Sequence, residues 1–209
     1  MVVFDNSVFC LALHPDARPP AGVDRAKDRI EHLLETLREQ KEQVIIPAPV
    51  LAEFLVFAGA DGPQYLTKIR ESSVLRVEPF DERAAIELAD MEIKARQIGN
   101  KRGPVPEDTD WQKVKFDRQI VAVAKVHGAS VIYSNDPHIK AHAKDSAIPV
   151  ISIGELPTPP AQQMKLKELS NVTQNEPEAG QLSGSGSGPA ENQAGAQGAK
   201  SENPKGESS

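Results

Sequence analysis

Apolar residues fall in short runs that alternate with longer amphipathic stretches. Val2-Val3-Phe4, Val44-Ile45-Ile46, Val74–Val77, Val131-Ile132-Tyr133 and Val150–Ile153 are continuous or nearly continuous apolar segments. Runs of this length suit strands that are covered on both faces. Between the first two, Ile30, Leu33, Leu34 and Leu37 recur at i, i+3, i+4 and i+7, which predicts an amphipathic helix over 24–42. Pro49 suits the first turn of a helix over 49–58 that Gly59 ends. A further helix is expected over 62–72, and Asp81 is a good N-cap for one over 82–98, stopped at Gly99. Residues 99–112, GNKRGPVPEDTDWQ, predict a loop. A helix over 114–127 ends at Gly128, and a short one follows Asp136.

Strands and helices therefore alternate. That pattern predicts an α/β fold with a central parallel sheet and helices on both faces. Right-handed crossovers then place every strand-to-helix connection at the carboxyl edge of the sheet, where ligands of such folds bind.

The composition changes near Pro157-Thr158-Pro159-Pro160, which places a single domain at 1–156 and a polar Pro/Gly/Ser-rich tail at 157–209. From Gly180 onward the chain has no aromatic residue and one large aliphatic, Leu182, so this segment is expected to be disordered. Net charge is −6, which argues against a broadly basic nucleic-acid coat. One cysteine, Cys10, excludes an internal disulfide framework and suits a reducing compartment. Cys10 reads as a small buried hydrophobe between Phe9 and Leu11, and Tyr65, Phe54 and Phe57 as core. No apolar run reaches about 18 residues, and the N-terminus lacks a signal-peptide pattern, so a cytoplasmic, non-membrane protein is expected.

Acids recur where the topology predicts a site. Asp5 follows the first strand, and Asp136 follows Val131–Tyr133 in YSNDPHI. Glu53 lies in the early turns after Val44–Ile46, and Asp117 is expected in the first turn of a helix starting near Val114. Four carboxylates from four segments repel one another and call for a cation. Hard oxygen donors suit Mg²⁺ or Mn²⁺, and phosphodiester hydrolysis is the chemistry such ions support. Lys115 and Arg118 flank Asp117 and are read as solvated charges or as partners of the pocket or a phosphate. Asn135 reads as a turn residue or a water-orienting one. Trp111, beside Lys101, Arg102 and Lys113, packs on the domain or stacks on an unpaired base. His138 and His142 have the spacing of half a zinc site, but no further Cys or His set completes it.

The segments VVFDNSVF, PAPVLAEFL, KFDRQIVAVAK and SND after a strand, in this order across roughly residues 2–153, resemble the PIN-domain family of metal-dependent ribonucleases. The resemblance implies that Asp5, Glu53, Asp117 and Asp136 are its acidic quartet and that Ser134 is its usual Thr or Ser two positions before the last acid. It implies a Mg²⁺- or Mn²⁺-dependent endoribonuclease acting on RNA. The family's VapC-like toxins imply an antitoxin partner, and a homodimer is a further expectation. The alternative is a catalytically idle binding module acting through protein partners. The long helical middle and the polar tail depart from the compact toxin pattern. A dehalogenase-type phosphatase would need an acid two residues after Asp5, where Ser7 stands. A response-regulator receiver does not fit the layout.

Overall fold

The structure is a computed structural model, and it describes residues 1–159. The tail expectation, from 160 on, lies outside the described residues. Five strands, β1 (Val2–Phe4), β2 (Val44–Pro47), β3 (Leu75–Glu78), β4 (Val131–Tyr133) and β5 (Val150–Ile151), form one sheet in the order β3-β2-β1-β4-β5. All four pairings are parallel, with Val2 opposite Val44 on one side and Val131 on the other. Successive side chains of a strand point to opposite faces, and Val2, Val3 and Phe4 are all buried, as are Val44, Ile45 and Ile46. Both faces of the central strands are therefore covered, as continuous apolar runs require.

The helices are α1 (Asn6–Leu13), α2 (Ala26–Glu39), α3 (Ala48–Ala58), α4 (Gly62–Glu71), α5 (Glu82–Gln97), α6 (Trp111–Val126) and α7 (Pro137–His142). Phe54 on α3 packs against Phe9 on α1 and Tyr65 on α4, with ring centroids 4.8 and 5.2 Å apart. Asp81 caps α5 through the Ala84 N–H, as expected. Phe57 departs from the core expectation: it is half exposed, with its ring beside His14.

Three elements differ from the sequence pattern. The apolar run after Asp5 is a helix, α1, whose eight residues are too few to display a clear period. The strand expected over 150–153 ends at Ile151, because Ser152 and Glu155 close a reciprocal capping turn. The third difference positions the site. α6 begins at Trp111 rather than 114, because the Asp110 carboxylate accepts from the Gln112 and Lys113 N–H groups. Asp117 thus sits in the second turn. α6 is buried from Ile120 through Ala124 on every side, the pattern of a helix inside the core rather than on it.

β1 lies between β2 and β4, so the chain leaves it in one direction for β2 and β3 and returns on the other side for β4 and β5. The crevice outside the carboxyl ends of β1 and β4 is therefore a topological switch point. Asp5 stands immediately beyond the end of β1, and Asp136 three residues beyond the end of β4.

Candidate metal centre

Asp5, Glu53, Asp117 and Asp136 line one cleft of about 460 Å³ with Asn6, Lys113 and Phe116. Asp5 follows β1, Glu53 comes from the middle of α3, Asp117 from α6 and Asp136 from the start of α7. All four acids singled out in the sequence are brought together.

Asp5 is buried and fully hydrogen-bonded. Its Oδ1 accepts from the Val8 N–H (3.0 Å), capping α1, and from the Ser7 hydroxyl (2.8 Å). Its Oδ2 accepts from the Ser134 hydroxyl, whose oxygen accepts in turn from the Asp136 N–H at 3.0 Å. Ser134 thereby joins the ends of β1 and β4. Burial pushes the Asp5 carboxyl up to about 6, against the pull of these three donors. Burial likewise raises Asp117 and Glu53, although Lys113 opposes it at both.

Lys113 is the cation of the cleft. Its Nζ lies 2.5 Å from Asp136 Oδ2 and 3.2 Å from Asp117 Oδ1. Burial works against the charges of this trio, yet the Lys113 contact and the His138 N–H hold Asp136 below the usual carboxylate range. One ammonium does not balance four carboxylates. Asp117 Oδ2 and His138 Nδ1 are buried 3.9 Å apart, and neither has a hydrogen-bond partner among the described residues. One donor atom from each of Asp117, Asp136 and His138 fits within a 4.8 Å span. Two buried polar atoms without partners, facing one another beside the acids of the cleft, are what a divalent cation fits, so the residues present suit the group. A mixed carboxylate and imidazole set also suits Mn²⁺ and similar ions.

Other expected site residues stand elsewhere. Lys115 and Arg118 do not reach the cleft. Lys115 leans on the Trp111 ring (5.6 Å), and Arg118 is buried on another side of α6, donating to the Lys101 carbonyl at 3.0 Å. Lys101 lies 4.1 Å over the same Trp111 ring. Arg102 is tied to the Thr109 carbonyl. Asn135 faces a neighbouring depression with Cys10 and Phe57, and its N–H donates to Ser7. Cys10 is half-buried rather than core. It donates to Asn6, and its thiol is pushed up to about 11 by burial, then by Asp5 and Glu53, which disfavours the thiolate.

Sequence reasoning placed Lys113 with the RNA contacts and found no partner set to make His138 a zinc ligand; Lys113 lines this cleft, and His138 stands beside it, 3.9 Å from Asp117. The signal for Lys113 was its i, i+4 relation to Asp117, visible only once the helix is started at 111.

No curated protein matches the chain significantly. Among solved structures, it is similar to the DNA-bound VapBC from Salmonella typhimurium (17% identity over 73% of this chain and 97% of that one, TM-score 0.45). VapBC2 from Rickettsia felis bound to a DNA fragment from its promoter is similar at 17% identity, over 73% and 98% of the two chains, with TM-score 0.45. Mycobacterium tuberculosis VapC20, a sarcin-ricin loop cleaving toxin, is similar at 22% identity over 65% and 90%, with TM-score 0.39. The family model described as PIN domain matches residues 2–145, which include β1, β4 and all four acids of the cleft, and the chain belongs to the PIN-domain family.

Proposed function

We propose that the protein is a Mg²⁺- or Mn²⁺-dependent endoribonuclease whose site is the cleft of Asp5, Glu53, Asp117 and Asp136. The observation that carries this reading is the orphaned Asp117 Oδ2 facing His138 Nδ1 beside Asp136. In this proposal Asp117 and Asp136 hold the ion with His138. Glu53 supplies further charge from the facing helix, and Asp5, gripped by Ser7, Val8 and Ser134, sets the position of the first wall. When bound, a divalent ion supplies an activated water and neutralises charge at a phosphate. With an ion held there, Lys113, now paired with Asp117 and Asp136, would be free to donate to a phosphate oxygen. Ser134 holds the Asp5 carboxylate and the Asp136 backbone in fixed relation. Lys101, Arg102 and the Trp111 ring remain the proposed RNA contacts, outside the cleft.

RNA as substrate, an antitoxin-like protein or a second copy as partner, and a cytoplasmic location belong to the same proposal. Its support is membership of a family that includes VapC-like toxins. The alternative, an idle binding module, draws support from Lys113, which already pairs with two of the acids. Cleavage of RNA with Mg²⁺ or Mn²⁺, with EDTA and with Asp117→Asn decides between them. Metal-dependent cleavage that the variant lacks is expected. Absence of cleavage of structured and unstructured RNA, despite metal binding, would leave the binding module.

A further inference from the structure

Phe57 is the outermost ring of an aromatic row that starts in the core. Phe9 packs on Phe54, Phe54 on Tyr65, Tyr65 on His14 and His14 on Phe57, with centroids 4.6 to 5.5 Å apart. Phe9, Phe54 and Tyr65 are buried, whereas Phe57 is 50% exposed and Val56 beside it 84%. The inner rings hold the outer one in place while it faces solvent. Val56 and Phe57 follow Glu53 by three and four residues on α3, so they share the helix face that carries this acid of the cleft, one turn along.

A depression of about 240 Å³ lies against Phe57. Asn6 lines both it and the acidic cleft, so the two are neighbours across one side chain. Leu11, Ala17 and Pro20 make part of its lining apolar, and two polar residues complete it. Asn135 donates its backbone N–H to Ser7, and its side-chain amide has no partner among the described residues. Arg18 is exposed and belongs to none of the ion pairs among the described residues.

We propose, on the nuclease reading of the cleft, that this depression takes one unpaired base of the RNA strand whose phosphate lies among the acids. The base stacks on Phe57, its edge meets the Asn135 amide, and Arg18 meets the adjoining phosphate. A π-face, a donor–acceptor pair and a free cation are the parts that single-stranded recognition uses. The volume exceeds the ~150 Å³ of a cavity known to take benzene, so a single base has room. An apolar peptide anchor would match the ring but leave the amide and the guanidinium without partners.

Fluorescence anisotropy of a short labelled RNA strand with Mg²⁺ tests this on the full chain carrying Asp117→Asn, so that no strand is cut. Single-stranded RNA should bind. Loss of one stacked base predicts an affinity about 5- to 150-fold lower with Phe57→Leu added, and close to the starting value with Phe57→Trp. A strand of the same length without bases should bind more weakly and lose nothing further through Phe57→Leu. The half-exposed ring leaves the unfolding temperature of Phe57→Leu near that of the parent. No binding of single-stranded RNA, unchanged affinity in Phe57→Leu, or an equal loss with the baseless strand would each overturn the base site. Cleavage by the parent chain that Phe57→Leu leaves unchanged would also overturn it while the nuclease reading stands. Binding that depends on Phe57, in a parent chain that cuts no RNA, would support the base site and sink the nuclease reading alone.

Discussion

Replacing Asp5 by Asn should stabilise the metal-free protein at neutral pH while removing a group the proposed site requires. The carboxyl is 3% exposed and is raised from its ordinary 3.8 to about 6, chiefly by burial. At ~1.4 kcal/mol per pH unit of displacement, keeping it ionised in the folded state costs about 3 kcal/mol above pH 7. Asparagine keeps an acceptor for the Val8 N–H and Ser7 hydroxyl, so α1 stays capped. The amide nitrogen, however, faces the Ser134 oxygen. The serine must then accept rather than donate, and its own proton loses a buried partner, at about 1 kcal/mol. The balance is a gain of about 1–2 kcal/mol. Its pH dependence has a definite sign. A carboxyl whose folded pKa lies above its unfolded value binds its proton more tightly when folded. Its destabilising effect is therefore absent below about pH 4, grows between 4 and 6, and is complete at 7. Urea unfolding of both proteins in EDTA at pH 8 and pH 4.5 measures the difference, and comparing the two cancels the other acids. The advantage of Asp5→Asn should shrink or reverse at pH 4.5. A variant less stable than the parent by more than 1 kcal/mol at pH 8, or a difference independent of pH, would refute the reasoning.

Lys113→Met removes the ammonium that competes for Asp117 and Asp136, so Mn²⁺ affinity by calorimetry should rise; a fall would show that Lys113 instead sets the geometry of the acids. Gly103→Ala combines φ +73° with a Cβ 3.1 Å from Arg118, and thermal unfolding should report a loss of about 1–2 kcal/mol. A chain ending at Pro159 should keep the unfolding temperature of the full chain, as a single domain at 1–156 requires; a clear drop would give the remaining residues a structural role.

The five apolar segments were legible as strands because they are short, rich in β-branched residues and bounded by helical patterns, although only the central ones, β1 and β2, are covered on both sides, while β3 leaves Arg76 and Val77 exposed. Their alternation with helices dictated a parallel sheet, and a parallel sheet has one edge where its loops collect. Asp5, Glu53, Asp117 and Asp136 could therefore be assigned to one cleft before any distance was known. What stood close to them could not. Lys115 and Arg118 adjoin Asp117 in the chain, but an α-helix turns by about 100° per residue, so sequence neighbours leave on different sides. Lys113, a full turn away, shares the face of Asp117 and reaches Asp136 as well. Arg118 instead lies on another side of α6, among the residues that line a separate cavity with His142 of α7. His138 joins the acids because α7 packs on α6, a relation that no local pattern encodes. Strand, helix and edge follow from periodicity, which is local. Which side chains share a cleft follows from helix phase and helix packing, and those exist only once the chain has folded.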